Sequence, residues 1–113
     1  MKVVYVAGPY RAFTAIEIKA NIRQADQMGE DVARLGAMPL VPHKNTEHYE
    51  GVQNDQWFLD GTRELMSRCD ALMICPNYES SVGTKGEITE AERLGLPVFY
   101  CLAELQAWLS KQS

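Results

Sequence analysis

The sequence predicts one domain over residues 1–113, an α/β fold with a doubly wound parallel sheet of about four strands in the order 2-1-3-4 and helices on both faces. Alternation carries the prediction. Short apolar runs take turns with segments of helical period, in the order β-α-β-α-β-α-β-α, and that repeat gives parallel strands joined by right-handed crossovers. Two of the runs, Val3-Val-Tyr-Val-Ala7 and Ala71-Leu-Met-Ile-Cys75, are almost wholly apolar, as strands covered on both sides must be.

Val3–Ala7 is the first strand, and Gly8-Pro-Tyr-Arg11 breaks it. Ile18, Ile22, Ala25, Val32 and Leu35 then recur at helical spacing along Ala15–Leu35, with Glu17, Lys19, Arg23, Asp26 and Arg34 on the other face. Gly36 stands where a C-cap glycine belongs. Ala37–Val41 is the second strand, and Pro39 places it at an edge because proline cannot donate to a ladder. Pro42–Gln53 reads as polar and irregular. Asn54 or Asp55 caps a second long helix ending near Arg68, with Phe58, Leu59, Leu65 and Met66 as its apolar face. Asp70 opens the third strand, at the edge of the sheet away from the crevice, and reads as structural. A helix over Thr84–Leu94, a strand over Pro97–Tyr100 and a closing helix over Ala103–Leu109 with Trp108 packed inward complete the chain.

Composition bounds the function. Hydrophobic residues at 46% and charged residues at 23% are ordinary for a globular domain of 113 residues. A net charge of −4 without a basic cluster argues against a nucleic-acid polymer as partner. No apolar stretch approaches the ~20 residues of a membrane span. Cys69, Cys75 and Cys101 form no C-x-x-C pair, and an odd set of thiols fits a reducing cytoplasm. His43 and His48 have no Cys or carboxylate at ligand spacing, so neither a metal nor another cofactor is expected.

In a sheet of order 2-1-3-4 the switch point falls between the first and third strands, where such sheets bind ligands. Gly8–Arg11 and Asn77–Glu87 then face each other across one crevice. The first loop offers Gly8, Pro9, an aromatic ring in Tyr10 and a cation in Arg11. The second offers Ser80, Ser81, Gly83 and Thr84 at a helix start, suited to a phosphate or a sugar hydroxyl. The G-x-x-x-x-G-K-[ST] spacing is absent, which excludes a P-loop. Glu87 falls in the first turn of that helix, where the dipole favours its ionised form. Thr84-Lys-Gly-Glu87 also matches a capping box, which would turn Glu87 back onto the main chain. Asp60 reaches the crevice only if its helix leans inward.

Val4-Tyr-Val-Ala-Gly-Pro-Tyr10, Cys69-Asp-Ala-Leu72, Ser81-Val-Gly-Thr-Lys-Gly-Glu87, Ala91 and Gly95-Leu-Pro-Val98 together resemble the nucleoside 2-deoxyribosyltransferase superfamily. That group includes 2'-deoxynucleoside 5'-phosphate N-hydrolases and small phage-associated domains. The resemblance implies a Rossmann-like fold and a glutamate, here Glu87, that attacks the anomeric carbon and holds the sugar as an ester. It places Tyr10 in the sugar or base pocket and Ser81 against a 5'-phosphate. It also exposes a departure. Thr62 stands where the family carries an aspartate that assists the departing base, with Asp60 two residues earlier.

The expected activity is therefore N-glycosidic hydrolysis or base exchange on a (deoxy)nucleoside or its 5'-monophosphate, with Glu87, Asp60 and Tyr10 as catalytic residues. The alternative is a non-catalytic nucleotide-binding domain on the same fold. Trp57, Phe58 and Trp108 and the two sheet edges imply a homodimer or larger homo-oligomer.

Overall fold

The structure, a computed structural model, describes residues 1–112. Strands β1 (Val3–Ala7), β2 (Met38–Leu40), β3 (Ala71–Ile74) and β4 (Val98–Phe99) form one parallel sheet in the order β2-β1-β3-β4, as the alternation predicts. Val4 lies opposite Pro39 on one side and Ala71 on the other, and Leu72 lies opposite Val98. Pro39 thus sits on an edge strand. Helices α1 (Ala15–Arg34), α2 (Pro42–Asn45), α3 (Asp55–Ser67), α4 (Val82–Arg93) and α5 (Leu102–Ser110) surround the sheet, and Tyr78–Ser80 forms a 3-10 turn.

Local chemistry sets the helix ends. Thr14 caps α1 by accepting from the Glu17 N–H, and Gly36 leaves that helix at φ +96°, a conformation glycine adopts without strain. Asn54 caps α3 by accepting from the Trp57 N–H at 2.8 Å. The segment expected to be irregular holds α2, started by Pro42, whose fixed φ suits a first helical position.

Side chains alternate across β1 and so build two cores. Val4 and Val6 pack with Ala25 and Val32 of α1 and Leu105 of α5. Tyr5 and Ala7 face the other way, with Met66 of α3 and Ile88 and Ala91 of α4. Trp108 is half-buried against Phe99, ring centroids 5.5 Å apart, whereas Trp57 remains 51% exposed and stacks edge-on to Phe58. Asp70 has the structural role read for it: its carboxylate accepts from the Val3 N–H at 2.8 Å, at the amino edge of the sheet. Cys69 and Cys75 are buried free thiols and Cys101 is an exposed one. Among the described residues no helix is long and apolar enough to cross a membrane.

Candidate active site

Tyr5 occupies an alternate position of β1 and is fully buried toward the layer of α3 and α4. A buried phenol needs a partner, because its hydroxyl has left water. It donates to Oε2 of Glu87 on α4. Thr62 of α3 reaches the same hydroxyl, and its own Oγ1 donates to the Leu59 carbonyl at 2.9 Å. Three elements thus converge on one polar cluster inside an otherwise apolar layer. Burial, the Glu87 charge and the hydrogen bond to Glu87 push the Tyr5 phenol well above its usual range.

Glu87 differs from expectation in two respects. It is the sixth residue of α4, beyond the first turn, where the dipole effect has faded. Its carboxyl is pushed up to about 7 by desolvation, with the Tyr5 hydrogen bond pulling the other way. The carboxyl is the enclosed end of a partly buried side chain, and burial makes it harder to ionise. Nor does it close a capping box. The N-cap is Ser81, whose Oγ accepts from the Thr84 N–H at 3.1 Å and from the Thr84 hydroxyl at 2.9 Å. Thr84 is buried beneath that cap. Gly83 is exposed at the second position of α4, in the turn whose N–H groups have no intrahelical partner.

The loop after β1 closes the other side of the switch point. Gly8 packs so tightly on Cys75 that a Cβ there would lie 2.8 Å from the Cys75 Cβ and Sγ. That close approach, more than any ligand contact, explains the glycine. His43, weighed in the sequence only as a metal ligand, is instead buried on α2 against this loop. Its Nε2 lies 3.0 Å from both the Gly8 and Pro9 carbonyl oxygens, so this nitrogen carries the proton and donates to both. Nδ1 is buried without a hydrogen-bond partner, and burial lowers the ring's pKa. Tyr10 is 38% exposed and meets His43 edge-on at 5.7 Å. Arg11 turns away to pair with Asp55 at the start of α3, 3.2 Å apart and both exposed.

Asp60 is not brought to the cluster. At 100° per residue it lies about 160° around α3 from Thr62. Its carboxylate accepts from Gln56 at 2.8 Å, and it lines an outer groove of about 250 Å³ between α3 and α4 with Arg63, Glu64, Ser67, Glu90 and Arg93. A second hollow, about 380 Å³, lies by the β2 edge between Pro39, Val41, Lys44 and Leu65. Neither hollow is lined by Glu87. Among the described residues no cluster of three or more His, Cys, Asp or Glu could hold a metal ion.

Residues 2–101 match a family described as a domain of unknown function, DUF7768. The chain belongs to that family. No curated protein matches it. Its fold is similar to that of a 2-deoxyribosyltransferase from the psychrotolerant bacterium Bacillus psychrosaccharolyticus, with a TM-score of 0.62 and 21% identity, covering 85% of this chain and 69% of that one. It is similar also to a conserved protein of Enterococcus faecalis V583, with a TM-score of 0.67 and 22% identity, covering 87% of this chain and 61% of that one. The resemblance read from the sequence thus extends to the fold.

Proposed function

We propose that this chain cleaves or exchanges the N-glycosidic bond of a (deoxy)nucleoside or its 5'-monophosphate through a glycosyl ester on Glu87. One observation carries the reading: the Glu87 carboxyl is enclosed in the layer of α3 and α4 and held by a tyrosine from β1, not by its own helix. The likeness in fold to a deoxyribosyltransferase supports it. In the ionised form, one Glu87 oxygen bonds to the anomeric carbon while Tyr5 fixes the other; the carbon–nitrogen bond breaks, its electron pair leaves on the base, and a base expelled as an anion takes a proton from water. Water or a second base then releases the sugar. Ser81, Gly83 and the open N–H groups of α4 meet the 5' end, and Tyr10 and the Gly8–Pro9 loop wall the sugar and base. Free thiols fit a reducing, cytoplasmic setting. Exposed Trp57 provides apolar surface for self-association into a homodimer or larger assembly, which small-angle scattering would measure.

The test is base release from a panel of nucleosides and (deoxy)nucleoside monophosphates, followed by chromatography. Wild type releases base and Glu87→Ala does not. Equal inactivity of the two removes the enzymatic reading. A second reading, a nucleotide-binding domain without turnover, is favoured by Thr62 in place of an acidic residue. Calorimetric binding of a monophosphate with no base release would establish it.

A further inference from the structure

The surroundings of Glu87 go further than the reaction class. We propose that the substrates of this site are N-glycosides whose base is already cationic, such as a pyridinium or an N-alkylated purine. The inference rests on the function proposed above. Cleaving a neutral nucleoside needs a proton for the departing base, and a positioned acid contributes ~10²–10⁴ in rate. No such acid faces Glu87 among the described residues. Thr62 is a residue of α3 that reaches the Tyr5 hydroxyl, and a threonine hydroxyl is no proton source at neutral pH. Asp60 lies on the outer face of α3 with Gln56. Tyr5 has its proton committed to Glu87. His43 has its Nε2 proton committed to two backbone carbonyls. Asp55 is exposed and paired with Arg11.

The second observation is one of charge. Glu87 is a buried carboxyl that enters none of the chain's ion pairs among the described residues. An enclosed carboxylate without a counter-ion is costly, and a cationic ring beside it would supply what the protein does not. The reaction then needs no acid. A Glu87 oxygen forms a bond to the anomeric carbon, the carbon–nitrogen bond breaks, and its electron pair returns to the ring nitrogen, cancelling the positive charge. The base leaves neutral. Water next attacks the anomeric carbon, the ester carbon–oxygen bond breaks back to the Glu87 carboxylate, and one proton passes to solvent.

Paired substrates test this. Nicotinamide riboside, its 5'-monophosphate and 7-methylguanosine represent cationic bases. Adenosine, thymidine and their 5'-monophosphates represent neutral ones. The expected result is a kcat/KM higher by ~10² or more on the cationic set, lost in Glu87→Ala. Thr62→Asp should raise kcat/KM on the neutral set by ~10² and so narrow the ratio. Equal or faster cleavage of neutral compounds by wild type overturns the substrate class while leaving the glycosidase reading intact. A folded Thr62→Asp that leaves the ratio unchanged also overturns it; if that variant does not fold, the wild-type ratio decides. Failure to cleave either set removes both proposals.

Discussion

The two layers on this sheet bury similar strands in different company. Against α1 and α5, β1 and β3 present Val4, Val6 and Met73 to Ala25, Val32 and Leu105, and shape complementarity is the whole interaction. Against α3 and α4, the same strands present Tyr5 beside Ala7, Leu72 and Ile74, and Thr62 and Glu87 meet its hydroxyl. The first layer stabilises the fold by an amount that no proton changes. The second carries a carboxyl that burial has made hard to ionise, and its contribution depends on pH.

The largest expected effect belongs to the apolar layer. Leu105→Ala, at a fully buried position, should cost ~2–5 kcal/mol in denaturant unfolding, and by the same amount at pH 5 and pH 8. A pH-dependent loss would break the contrast. Glu87→Gln comes next. The folded-state pKa of about 7 lies above the ordinary 4.5, so the folded chain binds the proton more tightly. Wild-type stability should therefore fall as pH rises from about 4.5 to about 7 and stay flat above. Glu87→Gln, free of that penalty, should exceed wild type by up to ~3 kcal/mol at pH 8 and show no gain at pH 4. Loss of stability in the variant at both pH values would mean the carboxyl is not desolvated. Tyr5→Phe removes the bond that lowers the Glu87 pKa, so the carbon-13 NMR titration midpoint of Glu87 should move above about 7, at a cost of ~1 kcal/mol in stability. An unmoved midpoint would separate the two residues. The smallest effect is Ser81→Ala, ~1 kcal/mol from the lost cap and independent of pH. A neutral result would return the cap to Thr84.

Sequence pattern reached the scaffold better than the site, for physical reasons. The bounds of β1 and the edge position of β2 follow from local periodicity and from proline's missing donor, both of which act within a few residues, and the strand order follows from the β/α alternation as the simplest doubly wound arrangement. Glu87 was legible as a residue of the helix after β3, though it lies beyond the first turn expected of it. Its environment was not. The capping pattern at Thr84 competes with Ser81 three residues earlier, and only the observed backbone shows that Ser81 bonds the Thr84 N–H. Tyr5 hid inside an apolar run. Its signal was present, a hydroxyl at an alternate position of a strand buried on both faces, which must find a partner somewhere. His43 gave no such signal, since its carbonyl partners lie 34 and 35 residues away. Asp60 lies two residues before the place where the resemblance expects an aspartate, yet two residues along a helix turn a side chain to the far side.

The contact between Gly8 and Cys75 makes the crevice readable from outside. Cys75 is packed under the glycine, and burial and the nearby Glu87 push its thiol up to about 11, so an alkylating reagent can modify it only when the packing around it opens. Cys101, exposed at the start of α5, reacts without any such event and serves as the internal reference. The ratio of the two labelling rates reports how often the packing around Cys75 opens.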